Sequence, residues 1–536
     1  MRNYNQVLND LENISKKKNF LETVIYLSHI NLNSTAENIH KRDFKVLLNE
    51  NEITFLLGLW LKNWNKDHGV IINIKNESTI IHLLMNELHS TFLENFNVKE
   101  SLTSEDFHNS QRNNPEVLKE MIFYSGTGAY DLQYTEFIAE KYALDEDWLI
   151  KKYNIKLNEV IDLYTHIKIA LNIKINKYRY STENLIDLYT IDFNSYLFEL
   201  DPNFKNILDL FSVDFQFQGY NLNFRDIGDY NEFKTKPIIR TQNSYIIPLP
   251  SLLATALNEN FFYWMLEDDD YKKTALKNRG IVAEKIVFNS LKKKFPENVI
   301  LCDVLVKQSR EITLTDLDIL MQKDDKLIIF QIKSKKLTQL SKQGNVEKYK
   351  KDFEQSITQA YEQAIKPYYH LYNEKCKLLL KNGKEIKIER PNKIHSLCIV
   401  LDSFPSLNSH IRLFYNVNKE APIALSIFDL DTLLNYLDDF DKLFDYLNIR
   451  NEMMGKLFSE EEISLVQAFI SGKLVNRKDY DYMFFDNSFA QQFDKTYYLP
   501  LLSKHNKIFH QLIKNIKPTN YCFCGSGKIF KNCCQL

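Results

Sequence analysis

Two apolar segments joined by a polar turn form the clearest pattern in the chain. The first segment contains Asp318, the turn follows at residues 323–325, and the second segment ends in Gln331 and Lys333. Short apolar runs on either side of a polar turn are typical of a β-hairpin. Because side chains alternate along a strand, Gln331 and Lys333 are expected on the same face.

The segments around this hairpin predict a mixed α/β domain. A helix is expected over residues 271–295 and a strand over 299–307, both before the hairpin. A long helix with glutamines at four-residue spacing follows at 346–372. The remaining predicted elements are strands at 395–403 and 422–430 and a helix at 431–447. A sheet covered by helices would produce this order of elements, which is helix, three strands, helix, two strands, helix.

The rest of the chain is expected to be mainly helical. Apolar residues recur at three- and four-residue spacing within residues 1–240, where no catalytic motif is predicted. We therefore predict a helical region of unknown role at 1–240, an α/β domain at 241–440, a helical linker or packing module at 441–515, and a small metal-binding motif at 516–536.

A near-neutral total conceals an uneven distribution of charge. The formal net charge is −2 for the whole chain. Residues 1–270 carry 26 basic and 39 acidic side chains, whereas residues 271–395 carry 27 basic and 15 acidic ones. A polyanionic partner is therefore expected to bind the segment that contains the hairpin.

Four polar residues in this basic segment carry the candidate chemistry. Glu284 lies beside an apolar helical stripe, where a carboxylate needs a partner or a metal ion, and Asp318, Gln331 and Lys333 lie on the hairpin. The set resembles the PD-(D/E)XK nuclease superfamily, in the Gln form of Mrr-type restriction endonucleases and the related NERD domain. The resemblance covers about residues 240–400.

The resemblance implies a fold, a cofactor and roles for these residues. The expected fold is a restriction-endonuclease-like mixed sheet flanked by helices. Asp318, Gln331 and Glu284 would bind Mg²⁺ or Mn²⁺, and Lys333 would orient the attacking water and stabilise the pentacoordinate phosphate. The sequence departs from the superfamily pattern in lacking a proline before Asp318 and in carrying Gln331 where an acid is common.

The expected substrate is a nucleic acid, with DNA preferred. Three lysines that follow the hairpin closely are expected to contact the nucleic acid, namely Lys335, Lys336 and Lys342. Gln359 is expected to support the site from the next helix. The function that the resemblance implies is a DNA endonuclease of restriction or phage-defence type. Two alternatives stay open, namely an RNA nuclease and a non-catalytic nucleic-acid-binding or adaptor protein with a degenerate nuclease core.

Four of the seven cysteines lie close together near the end of the sequence. They are Cys522, Cys524, Cys533 and Cys534. This spacing resembles the SEC-C motif, which implies a tetrahedral Zn²⁺ site and a module that docks a protein partner. Gly525 and Gly527 would permit the tight turn between the ligands.

The cellular location is predicted from what the sequence lacks. The longest apolar run, residues 53–61, is under half of the ~20 residues that a membrane span needs. The first 20 residues have no apolar signal-peptide core. A cytoplasmic protein without membrane partners is expected, and its oligomeric state cannot be predicted.

Overall fold

The computed structural model describes most of the chain. The described residues are 2–32, 47–64, 73–93, 111–125, 128–177, 185–214, 219–415, 421–476, 482–485, 493, 503–504 and 507–534. Part of the predicted linker at 441–515 therefore lies outside the described residues.

Helices and strands both contribute to the structure. The helices are α1 Tyr4–Ser15, α2 Phe20–Leu32, α3 Glu50–Asn63, α4 Ile74–Leu93, α5 Pro115–Phe123, α6 Asp131–Lys141, α7 Glu146–Tyr153, α8 Leu157–Lys177, α9 Leu185–Leu188, α10 Leu197–Leu200, α11 Asn203–Leu210, α12 Glu232–Thr235, α13 Pro250–Glu267, α14 Lys272–Lys294, α15 Gln339–Lys342, α16 Val346–Phe353, α17 Gln359–Ile365, α18 Tyr368–Tyr372, α19 Leu407–Phe414, α20 Ile427–Tyr436, α21 Phe440–Glu452 and α22 Glu462–Ile470. The strands are β1 Thr190–Asp192, β2 Ser212–Asp214, β3 Ile238–Arg240, β4 Ser244–Ile246, β5 Val299–Lys307, β6 Thr313–Lys323, β7 Lys326–Lys333, β8 Lys377–Leu380, β9 Glu385–Ile386, β10 Lys393–Val400, β11 Ile423–Ser426, β12 Leu457–Phe458 and β13 Met483–Phe484.

The chain divides into two compact units. Unit 1 comprises residues 1–97, 130–275 and 494–536, and unit 2 comprises residues 98–129 and 276–493. This division differs from the domain boundaries predicted from sequence. Residues 241–275 group with the N-terminal helices rather than with the α/β domain, and residues 441–493 group with the α/β domain rather than forming a separate module.

Unit 1 is mainly helical but also contains a small sheet. Its strand order is β1-β4-β3-β2, in which β2 and β3 run parallel and the other neighbours are antiparallel. Each of these strands has three residues, too few to give a clear alternating pattern. The sequence prediction of a helical N-terminal region therefore missed most of this sheet.

Unit 2 is built on a seven-stranded mixed sheet of order β11-β10-β7-β6-β5-β8-β9. β5, β6 and β7 are antiparallel neighbours, and β10 and β11 run parallel to β7. The predicted hairpin is confirmed, with Ile319 opposite Phe330 and Lys323 opposite Lys326. The mixed α/β class is thus confirmed.

Two predicted helices are interrupted. The segment expected as one helix over 346–372 consists of α16, a π-helical turn at Glu354–Thr358, α17 and α18. Pro367 stands between α17 and α18, where it cannot donate a helical hydrogen bond. The segment at 431–447 breaks before Asp439, whose side chain accepts hydrogen bonds from the backbone N–H groups that begin α21.

A buried ion pair fixes α14 to the ends of two strands. Arg279 pairs with Asp402, and both side chains are at most 5% exposed. Arg279 Nε also donates to Ser334 O just after β7, at 3.1 Å, and Lys336 Nζ lies 3.5 Å from Asp402. Because Glu284 lies on the same helix, this network holds Glu284 near the end of β7.

No described helix is long and apolar enough to span a bilayer.

We expect Asp402→Ala to destabilise unit 2 by about 3–5 kcal/mol, because it leaves the Arg279 charge buried without its partner. The matched control is Asp441→Ala, which removes an exposed carboxylate that pairs with Lys323 and Lys326 at 2.5 Å. The control should cost at most about 1 kcal/mol. Urea unfolding followed by far-ultraviolet circular dichroism measures both, and equal losses would contradict the assignment.

Candidate functional site

The hairpin residues meet where β6 and β7 separate. The paired positions of the two strands begin at Ile319 and Phe330, so Asp318 and Gln331 are the next opposing residues. Asp318 Oδ2 accepts a hydrogen bond from Ile332 N at 2.6 Å, and Gln331 Oε1 accepts one from Asp318 N at 3.4 Å. These bonds place the Asp318 carboxylate beside the start of the Gln331–Lys333 segment.

Asp318 and Glu284 form an electrostatically unfavourable pair. Burial is the main cause that raises the pKa of Asp318 to about 7, and the negative charge of Glu284 raises it further, against the hydrogen bond from Ile332. The pKa of Glu284 is also raised, by burial first and then by Asp303. Two carboxylates whose ionised forms are disfavoured in this way are stabilised by a cation placed between them.

Gln331 and Lys333 share a partner that the sequence analysis did not select. Gln363, on α17, accepts a hydrogen bond from Lys333 Nζ at 2.7 Å and another from Gln331 Nε2 at 3.4 Å. Gln331 is 1% exposed, and its amide nitrogen also donates to Asp316 O at 3.3 Å. As oriented here, Gln331 joins neighbouring strands, whereas the sequence analysis expected it to be a metal ligand.

The four residues expected at the substrate occupy different surroundings. Lys335 pairs with Asp352 at 3.2 Å, and Lys336 belongs to the Asp402 network, so both ammonium groups have acidic partners within the fold. Lys342 ends α15 and is half-buried. Gln359 is exposed and lines an open depression together with Lys348, Lys350 and Lys351. Gln363, one helical turn beyond Gln359, makes the contact with Lys333 that was expected of Gln359.

Three further charged residues surround the Asp318–Glu284 pair. Asp303 and Asp316 raise the pKa of Glu284, and Lys381 lowers it. Lys381 also forms an ion pair with Asp303. Lys381 lies in the β8–β9 hairpin, which the sequence analysis did not predict. The Asn-Gly pair at 382–383, shortly after the apolar run at 378–380, is a hairpin signal that would have indicated it.

Strand β5 departs from regular alternation around Asp303. Leu301 and Val304 pack into the same apolar cluster although they are three residues apart, and so do Leu317 and Leu320. Strict alternation would place such residues on opposite faces. Asp303 has a left-handed backbone with φ 55°, uncommon outside glycine. The regular strand conformation of β5 is therefore interrupted at Asp303, one of the acids that raise the pKa of Glu284.

The four C-terminal cysteines converge on one point. Their sulfur atoms all lie within 4.8 Å of one another, and the Sγ distances are 3.5 Å for Cys524–Cys533 and 3.8 Å for Cys533–Cys534. Thiolates about 2.3 Å from a tetrahedral metal ion are separated by about 3.8 Å. The cluster therefore could hold a metal ion such as zinc. Among the described residues, no other three His, Cys, Asp or Glu side chains bring ligand atoms so close.

The cysteine motif is built into unit 1 through its backbone. Gly525 O accepts a hydrogen bond from Asp192 N at 3.0 Å, and Phe523 O accepts one from Ser195 Oγ at 3.1 Å. Gly525 has φ 74°, and a Cβ there would lie 2.9 Å from Ile191 Cα. Lys174, 3% exposed, donates to Gly525 O at 3.4 Å. The glycine expected to permit a turn between ligands therefore also permits close contact with β1.

Comparisons with family models, with curated proteins and with solved structures each returned no match.

The raised pKa of Asp318 predicts a stability difference that depends on pH. Between about pH 4, the pKa of an unfolded Asp, and about pH 7, the folded protein keeps a proton that the unfolded chain loses. Stability is therefore lost as the pH rises through this range. Asp318→Asn cannot ionise, so in buffer without added divalent cations its melting temperature should exceed that of the wild type increasingly from pH 5 to pH 8. Scanning calorimetry measures this, and a difference independent of pH would contradict it.

Proposed function

We propose that unit 2 is a divalent-metal-dependent nuclease that hydrolyses phosphodiester bonds in DNA. The observation that carries the proposal is that the charges of Glu284 and Lys333 act on the Asp318 carboxylate, at the point where β6 and β7 separate. Two carboxylates that disfavour ionisation and a nearby ammonium group are the charges that a cation and a phosphate would complement. The order of α14, three antiparallel strands, α17 and a parallel β10 also supports a restriction-endonuclease-like fold.

Each residue of this cluster has a distinct role in the proposal. Asp318 and Glu284 would hold Mg²⁺ or Mn²⁺ through carboxylate oxygens, which these hard cations prefer. When bound, such a cation neutralises charge on the phosphate and lowers the pKa of a coordinated water. Lys333, oriented by Gln363, would stabilise the charge that develops on the phosphate oxygens. Gln331 would hold the strands that position Asp318 rather than supply the main ligand.

The basic composition of the segment that contains the cluster supports a nucleic acid as the substrate. The surplus of basic residues over 271–395 suits phosphate contacts. The depression near Gln359 contributes three lysines, Lys348, Lys350 and Lys351, although Glu347 and Glu354 also line it. Neither feature would read bases, so we expect weak sequence preference and strong dependence on salt. A role in restriction or phage defence rests on the family resemblance alone.

We expect Asp318→Ala and Lys333→Ala each to lower cleavage of supercoiled plasmid by at least about 100-fold. Asp318→Ala removes a ligand of the cation, and Lys333→Ala removes the positive charge that stabilises the phosphate oxygens. The control is Lys285→Ala, an exposed lysine on α14 next to Glu284. The assay uses the full chain with Mg²⁺ or Mn²⁺, and single-stranded DNA and RNA are run in parallel.

Two results would overturn the proposal in different ways. DNA binding without cleavage by the wild type would favour the non-catalytic binding protein. Cleavage of RNA but not DNA would favour the RNA nuclease.

We also propose that the cysteine motif binds one Zn²⁺ and holds the end of the chain on unit 1. The sulfur spacing fits a tetrahedral Zn²⁺ site, and the SEC-C resemblance points to the same metal. Four thiolates around Zn²⁺ carry a net charge of about −2, and the buried ammonium of Lys174 lies where it would offset part of that charge. A docking role toward a protein partner stays a prediction.

The location of the tryptophans makes this second proposal testable. Trp60, Trp64, Trp148 and Trp264 are the four tryptophans of the chain, and all belong to unit 1. Cys524→Ser should lose the bound zinc and lower the tryptophan-fluorescence melting temperature by at least about 5 °C, because metal binding contributes to folding. The control is Cys376→Ser, a cysteine of unit 2. Zinc content measured by atomic absorption must fall only in Cys524→Ser, and equal zinc in both variants would disprove the site.

A further inference from the structure

Four residues form a row across the sheet of unit 2. In the β5–β6 pairing, Cys302 lies opposite Ile319 and Val304 opposite Leu317, so Asp303 falls opposite Asp318. In the β5–β8 pairing, Val304 lies opposite Leu380, so the next position along β8 places Lys381 opposite Asp303. The row therefore reads Lys381, Asp303, Asp318 and Gln331. Neighbouring strands are about 4.8 Å apart, so all four lie within a short span.

Lys381 is the positively charged end of this row. Its ammonium group pairs with Asp303 and lowers the pKa of Glu284. Lys333, on β7, lowers the pKa of both Glu284 and Asp318. Glu284 is therefore the carboxylate that both lysines influence. The Lys381 side chain is 72% exposed and follows the end of β8, where it can rotate away from Asp303 without moving a core residue.

The hairpin that carries Lys381 is itself strongly basic. Residues 375–393 hold seven basic and two acidic side chains. Most of such a surface would contact a polyanion through diffuse attraction. Lys381 differs from its neighbours because the strand register brings it next to the acids of the candidate nuclease site.

We propose that Lys381 is a second phosphate-binding lysine of this site, held by Asp303 until substrate arrives. The proposal rests on the proposed nuclease function. A divalent cation at Asp318 and Glu284 would repel the neighbouring ammonium and attract a phosphate, so Lys381 would exchange Asp303 for a phosphate oxygen. Asp303, in its left-handed conformation, would position Lys381, and the cation would be held by Asp318 and Glu284.

The test compares Lys381→Met and Lys381→Arg with Lys377→Met. Lys377 lies on the same hairpin, is 66% exposed and pairs with Glu385 at 3.0 Å, so its removal controls for loss of one positive charge. Three measurements are made on the full chain: Mn²⁺ binding without DNA, DNA binding in Ca²⁺, and single-turnover cleavage of plasmid DNA in Mg²⁺.

We expect Lys381→Met to bind Mn²⁺ at least as tightly as the wild type, because a competing cation has been removed. Its cleavage rate should fall by at least about tenfold, the effect of one hydrogen bond between charged groups. Lys381→Arg should recover most of that rate, and Lys377→Met should stay within about twofold of the wild type.

Other outcomes would overturn the inference. Loss of Mn²⁺ binding in Lys381→Met would make Lys381 only a structural counter-ion for the acids. If Lys377→Met loses as much cleavage activity as Lys381→Met, the effect of Lys381→Met is explained by the loss of one positive charge from the hairpin. If the wild type does not cleave DNA, selective weakening of DNA binding by Lys381→Met would still support phosphate binding while the nuclease proposal fails, and unchanged DNA binding would end both.

Discussion

The central constraint in unit 2 is the cost in free energy of burying the Asp318 carboxylate at the point where strands β6 and β7 separate. Asp318 is largely removed from water, and its hydrogen bond from Ile332 N only partly offsets the cost of its charge. Gln331 fastens the strands beside it through Asp318 N and Asp316 O. Since Gln331 is neutral, it adds no further negative charge to a place that already holds Glu284. This gives a physical reason for an amide where related patterns carry an acid.

The surrounding ion pairs distribute positive charge according to burial. Asp402 and Asp352 engage Arg279, Lys336 and Lys335 inside the fold, so these cations hold α14 and the loop after β7 in place. Lys333 lowers the pKa of both Asp318 and Glu284, and Lys381 lowers the pKa of Glu284. The sequence alone does not distinguish these lysines. In the structure, some of them stabilise the fold and others lie near the carboxylates of the candidate nuclease site.

The cysteine motif obeys a different constraint. Its four sulfurs are close enough for one metal ion. Its backbone forms a hydrogen bond with β1 at Gly525, where a side chain would clash with Ile191. A metal bound there would be linked to the stability of unit 1 rather than to a separate tail. The two candidate metal sites thus belong to different units.

The sequence by itself determined the local elements and the residue types of both sites. The bounds of β5, the β6–β7 hairpin, and the approach of Asp318 to Gln331 follow from alternation and turn chemistry, which act over a few residues. The cysteine cluster follows from spacing for the same reason. Only the tertiary structure decided that Gln363 rather than Gln359 contacts Lys333, that Lys335 and Lys336 are engaged by buried acids, and that Asp303 and Lys381 join the row. These outcomes depend on strand order, register and long-range ion pairs, which join residues far apart in the chain and leave no periodic pattern in it.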